Sequence, residues 1–117
     1  MKVTVRQLGD VAVVDLAGKI TLGGGDEALR RKVDELLHEG RLQILLNLKE
    51  VSYMDSSGVG GLAACYQEAR SRNGTVKLVN PTGRVQDLLR LIRLEDVIEL
   101  FDSEQEALGS FRGHRDA

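Results

Sequence analysis

The sequence predicts a single α/β domain: a mixed β-sheet of about five strands packed against about four helices. Two apolar runs near the N-terminus are separated by Gly9-Asp10, which is a hairpin signal. Beyond them, short apolar runs alternate with segments of helical periodicity, a pattern typical of parallel strands joined by crossover helices. The length of 117 residues suits one domain with its own core.

The first third of the chain is predicted to form a hairpin, a loop and a helix. Residues 1–7 alternate in polarity like an edge strand, and the denser apolar run 11–16 predicts a more central strand. Residues 18–25 are rich in glycine and are predicted to be a loop. Asp26 is predicted to cap the helix that follows, and Gly40 to end it.

The remainder is predicted to contain three strands and three helices in alternation. Strands are predicted over residues 42–48, 75–79 and 97–101, and helices over 62–72, from Pro81-Thr82 onward, and after a capping box of Ser103 and Glu106. The domain is expected to span residues 1–112, with a frayed tail over 113–117.

The prediction also names core residues. The sheet is expected to bury Val13, Leu45, Leu46, Leu48 and Val79. The helices are expected to bury Leu62 and an inner stripe of Val85, Leu88, Leu89 and Ile92.

Composition narrows the class of function. The net charge of −2 and the aromatic content of 3% lack the basic excess and aromatic residues typical of nucleic-acid-binding proteins. A single cysteine, Cys65, excludes an internal disulfide and fits a reducing compartment. No apolar run resembles a signal peptide or a membrane span, so a cytoplasmic protein without direct membrane insertion is predicted. Two distant histidines and one cysteine suggest no metal site, and no cofactor is predicted.

The run from Tyr53 to Gly61 is the most informative segment. It lies where a predicted strand passes into a predicted helix, so two hydroxyls and a carboxylate, those of Ser56, Ser57 and Asp55, gather near a helix start. Unpaired N–H groups and the helix dipole favour a phosphate at such a position.

Two enzymatic or ligand-binding interpretations are weak. A hydrolase nucleophile elbow is absent because Met54 occupies the position of its first glycine, and neither His38 nor His114 is placed as a general base. The glycine clusters at 58–61 and 23–25 lack the Lys-Ser/Thr ending of a phosphate-binding P-loop.

Simple helix capping is the plain structural alternative for Asp55-Ser56-Ser57. Aspartate and serine are among the best N-caps, and from the residues alone capping is favoured over a switch.

A longer pattern changes that balance. The chain carries Leu46-Asn47-Leu48 and then Val51-Ser52-Tyr53-Met54-Asp55-Ser56-Ser57-Gly58. This pattern resembles the signature of the anti-sigma-factor antagonist (STAS-domain) family. The resemblance covers nearly the whole chain through Leu16-Ala17-Gly18, Val85 with Leu88-Leu89, Ile92-Arg93-Leu94, Ile98-Glu99-Leu100-Phe101 and Ser103-Glu104-Gln105-Glu106-Ala107-Leu108.

The resemblance implies a switch protein rather than an enzyme. Ser56 would be the phosphorylated residue, flanked by Asp55 and by Ser57-Gly58, which would open the helix. The unphosphorylated protein would bind an anti-sigma factor that is a serine kinase and so release a sigma factor. Phosphorylation would end the complex, and a serine phosphatase would reverse it.

The partner-binding surface is expected to run from the loop at 18–25 across Ser56 to the exposed start of the next helix. Its expected members are Lys19, Thr21, Gly24, Gly60 and Gly61. Lys19 stands where many family members carry an acidic residue, which leaves the partner's identity open. The alternative is a STAS subunit that acts as a fixed scaffold, for example on a transporter ATPase or a larger signalling assembly.

Overall fold

The structure is a computed structural model that describes the backbone of residues 1–115 and the side chains of residues 1–112. Its elements, in chain order, are β1 (Lys2–Leu8), β2 (Val11–Ile20), α1 (Gly25–His38), β3 (Gln43–Met54), α2 (Ser56–Ser71), β4 (Thr75–Val79), α3 (Gly83–Leu91), a short 3₁₀ turn (Leu94–Asp96), β5 (Leu100–Phe101) and α4 (Glu104–Arg115).

The five strands form one mixed sheet in sequential order, β1-β2-β3-β4-β5. The β1–β2 hairpin is antiparallel and turns at Gly9, whose φ of +62° suits glycine. The other neighbouring pairs are parallel, with a helix in each connection. The predicted fold class and element order are confirmed.

Strand alternation divides the core into two layers. Ala12 and Val14 belong to the larger cluster, which α1, α2 and α3 cover, whereas Val11 and Val13 belong to a smaller cluster closed by Ala107 and Phe111 of α4. The core residues predicted for the strands are fully buried, as is Leu62.

The inner stripe of α3 is shorter than predicted. Val85 and Leu89 are buried, but Leu88 is only half-buried and Ile92 is 44% exposed. The reason is that α3 ends at Leu91, and Ile92 is the C-cap residue beyond it. The predicted strand over 97–101 is likewise reduced to Leu100–Phe101, because Val97 and Ile98 still hydrogen-bond to the 3₁₀ turn at Leu94.

The largest departure is at the ends of β2 and β3, which were predicted at residues 16 and 48. The strands continue to Ile20 and Met54, and two register shifts between them fit an extra β3 residue opposite β2 in each place. Such bulges break the alternation of apolar and polar residues on which strand prediction depends. The predicted loop at 18–25 is therefore only residues 21–24.

The C-terminal helix is capped as predicted. The Ser103 hydroxyl accepts a hydrogen bond from the Glu106 N–H at 3.3 Å. The predicted tail over 113–117 begins inside α4, whose backbone is described to Arg115, and its last two residues lie outside the described part of the chain.

Candidate functional site

Periodicity predicted α2 from residue 62 and the family resemblance placed its opening at Ser57; the helix starts at Ser56, with Asp55 as its N-cap. One carboxylate oxygen of Asp55, Oδ1, accepts a hydrogen bond from the Gly58 N–H at 2.9 Å. Periodicity missed the first two turns because three glycines interrupt the helical pattern there. Ser56, expected in the loop, is thus the first helical residue, and Ser57 is the second.

Asp55, and not Ser56, caps helix α2. Ser56 is exposed, and no described residue hydrogen-bonds to its side chain. Helix capping therefore accounts for the aspartate of the motif but assigns no structural task to this serine. Ser57, one residue further into the helix, is half-buried.

The second carboxylate oxygen of Asp55 reaches a different element. Oδ2 accepts a hydrogen bond from the Leu22 N–H at 3.1 Å, which ties the loop at 21–24 to the start of α2. The hydrogen bonds from Gly58 and then Leu22 lower the pKa of the Asp55 carboxyl. Asp55 is therefore a fixed negative charge next to Ser56.

Two glycines let α1 and α2 approach the end of β2 closely. A Cβ on Gly58 would lie 2.2 Å from the Ile20 carbonyl oxygen, and one on Gly25 would lie 2.2 Å from that of Lys19. Gly58, expected only to flank the phosphorylation site, also has this packing role. Both helix starts consequently sit at the carboxyl end of β2, beside the loop.

Asp26 is not the N-cap of α1, so that prediction is wrong. Gly24 occupies the cap position without a side-chain bond, and Asp26 lies inside the first turn, buried. Its N–H donates to the Thr21 carbonyl at 3.1 Å. Because the helix begins at Gly25, Asp26 is its second residue and lies too far into the first turn to act as the N-cap.

Four of the five residues expected in the partner surface are accessible to some degree. Lys19 and Gly24 are exposed, Thr21 is half-buried, and Gly60 is exposed with open space where a Cβ would project. Lys19 belongs to β2, paired with Tyr53, and not to a loop.

Gly61 was expected in that surface and is buried instead. A Cβ on it would lie 3.7 Å from Leu29 Cδ2 and 3.8 Å from Asp26 Cβ, both on α1. A helix turns about 100° per residue, so exposure of Gly60 directs Gly61 toward its neighbour. Gly61 therefore belongs to the α1–α2 contact.

The prediction missed two exposed apolar side chains around Ser56. Leu22 is 76% exposed in the loop, and Tyr53, two residues before Asp55, is 42% exposed. A single leucine among threonine and glycines was the available signal at 21–25, since nothing in a short polar loop requires it.

Other chemistry has little support in the described residues. No group of three potential metal ligands is found within them. Burial raises the pKa of the Cys65 thiol to about 12, so it stays protonated and unreactive. Among the described helices, none combines the length and apolar content needed to cross a bilayer.

Comparison with known proteins identifies the family to which this fold belongs. The model of the STAS domain family matches residues 2–107. The chain belongs to the STAS domain family. The anti-sigma-B factor antagonist of Bacillus subtilis (strain 168) is 31% identical over 100 residues, which cover 86% of this STAS domain chain and 90% of that relative.

Solved structures agree on the fold. An anti-sigma factor antagonist from Mycobacterium paratuberculosis superposes with a TM-score of 0.84 at 22% identity, covering 95% of this chain and 93% of that one. A sulfate transporter family protein from Wolinella succinogenes gives 0.79 at 17% identity, covering 94% and 91%. The STAS fold thus occurs in proteins of different functional classes. The function must therefore be argued from the residues of the site and not from the fold.

Proposed function

We propose that this STAS domain is an anti-sigma factor antagonist whose binding is switched by phosphorylation of Ser56. The observation that carries the proposal is the exposed Ser56 hydroxyl on the first residue of α2, to which no described side chain or backbone group hydrogen-bonds, next to a carboxylate that already caps the helix. A kinase can reach this hydroxyl without breaking any hydrogen bond that the described residues form.

The partner in this proposal is an anti-sigma factor with serine kinase activity, and a serine phosphatase restores the antagonist. The name of the Bacillus subtilis relative, and that of the anti-sigma F factor antagonist of Paenibacillus polymyxa at 28% identity over 84% of each chain, support an anti-sigma factor as partner. Lys19, Thr21, Gly24 and Gly60 surround Ser56 in the proposed interface, where Gly24 and Gly60 leave room for a partner's backbone.

The switch follows from charge. Phosphorylation adds about −1.5 to −2 charges beside the ionised Asp55. A partner covering Ser56 would have to desolvate both groups at once, so the complex weakens. The free protein bears the phosphate more easily, since the N-terminus of α2 offsets some of the charge, by roughly 0.3–1 kcal/mol.

Phosphate mapping tests the proposal. Each serine-kinase anti-sigma factor encoded in the source genome is purified and incubated with ATP and the wild-type chain, and the product is mapped by mass spectrometry. We expect one phosphate, at Ser56, and none on Ser56→Ala. Ser71→Ala is the matched control, because Ser71 is an exposed serine at the other end of α2.

Phosphate only on Ser57, or none with a kinase that binds the chain, would refute the switch. The scaffold alternative, in which the STAS domain docks permanently, would then take its place.

A further inference from the structure

The loop at 21–24 presents one large apolar side chain, that of Leu22, on a fixed backbone. An exposed leucine alone is ordinary on protein surfaces. Here, however, the Leu22 N–H is held by Asp55, and the Thr21 carbonyl accepts the Asp26 N–H at 3.1 Å. Gly23, with φ of +82°, and Gly24 then lead into α1 without side chains around the leucine.

The tether and the phosphorylation motif use the same carboxylate. Asp55 Oδ1 caps α2 through Gly58, and Oδ2 holds Leu22. The position of the leucine is therefore set relative to Ser56, through a single residue between them.

We propose that Leu22 is the apolar anchor of the partner interface, inserted into an apolar pocket of the anti-sigma factor, and that Asp55 is the positioning residue that presents it. This inference rests on the proposed function for the identity of the partner. A few well-placed side chains carry most of the binding energy of an interface. A loop already held in its bound shape also loses less conformational freedom on binding.

Asp55→Asn separates the two tasks of the carboxylate. Asparagine caps helices about as well as aspartate, so its one carbonyl oxygen can keep the bond to Gly58. Its NH₂ group is a donor and cannot accept the Leu22 N–H. We expect the Leu22 amide of the free Asn variant to exchange at least about tenfold faster, while the exchange of the Gly58 amide stays close to wild type.

Binding is measured by calorimetry with the anti-sigma factor kinase that binds the wild-type chain. Leu22→Ala should weaken binding at least about thirtyfold, as expected for a buried anchor. The matched control is Leu91→Ala, since Leu91 is 81% exposed at the end of α3, and binding should change less than about twofold. Asp55→Asn should weaken binding at least about tenfold with Leu22 still present.

The outcomes separate this inference from the proposed function. Binding of Leu22→Ala within about threefold of wild type, with Ser56 still phosphorylated, would overturn the anchor and leave the switch intact. Wild-type affinity of Asp55→Asn, or an unchanged Leu22 exchange rate, would overturn the positioning role. If no anti-sigma factor binds the wild-type chain, the proposed function and the anchor fail together.

Discussion

At the scale of single residues, the motif divides its tasks among neighbours. Asp55 caps α2 and holds the loop, Gly58 permits close packing against β2, and Ser56 is left without a structural partner among the described residues. The residue types of the motif were recognisable from sequence. The separate role of each residue was not predictable from sequence, because these roles depend on β2 extending to Ile20. The β-bulges in its pairing with β3 hid that extension from the sequence pattern.

Gly58 and Gly60 make a matched pair for stability. Gly58→Ala should lower the free energy of unfolding by about 1–3 kcal/mol, because its Cβ would collide with the Ile20 carbonyl at 2.2 Å and with Met54. Gly60→Ala should be neutral or stabilising by up to about 1 kcal/mol, since the site is open and alanine is the better helix former. Urea denaturation of both variants checks this, and equal effects would contradict the packing role of Gly58.

The depressed pKa of Asp55 gives a pH dependence of known sign. A carboxyl whose pKa is lower in the folded state stabilises the fold above its unfolded pKa of 3.8. That contribution is lost as the pH falls through the lower, folded pKa. The stability advantage of wild type over Asp55→Ala should therefore be full at neutral pH and shrink below about pH 4. A difference in unfolding free energy that stays constant from neutral to acid would contradict it.

At the scale of elements, prediction succeeded where turn residues mark clear limits. Strand β4 was predicted at its observed limits, because Asn73-Gly74 precedes it and Pro81 follows closely. Periodicity alone missed the start of α2 and the ends of β2 and β3, because glycines and bulges obscure it there. These are also the segments that build the candidate site, where local sequence patterns predict structure least well.

Packing of α2 on the sheet can be tested through Leu62. This side chain is fully buried, so Leu62→Ala should lower the free energy of unfolding by about 2–5 kcal/mol. Leu91→Ala, the same change at an exposed position, should alter it by less than about 0.5 kcal/mol. A loss below about 0.5 kcal/mol at Leu62 would mean that α2 does not pack as described.

Helix α4 covers a buried lysine that the sequence did not reveal. Lys77 is fully buried, donates to the Ser110 hydroxyl at 2.8 Å, and forms an ion pair with Glu99 at 3.5 Å. Its ammonium group also lies near the rings of Phe101 and Phe111. Burial lowers the pKa of its ammonium group, because removing the charged form from water costs free energy. Glu99, the ion-pair partner, is 54% exposed and stays solvated without the lysine, so Lys77→Met should leave the free energy of unfolding within about 1 kcal/mol of wild type or raise it. A clear loss in chemical denaturation would show that the charge itself stabilises α4.

At the scale of the whole molecule, the sheet brings distant parts of the chain to one edge. The ends of the paired strands β2 and β3 bring Tyr53, Ser56 and the loop at 21–24 to the same end of the domain. Helix α4 packs on the face of the sheet that α1, α2 and α3 leave uncovered. The fold class, the element order and the family followed from sequence pattern. The exposure of Leu22 and the burial of Gly61 did not, since each depends on how α1 and α2 meet.

The affinity of the two phosphorylation states for one partner is the most direct test of the central claim. The chain phosphorylated at Ser56 is purified, and its binding to the anti-sigma factor kinase is measured by calorimetry beside that of the unmodified chain. We expect the phosphorylated form to bind at least about a hundredfold more weakly, while both forms unfold at similar temperatures. Equal affinity of the two forms would contradict a phosphorylation switch at Ser56.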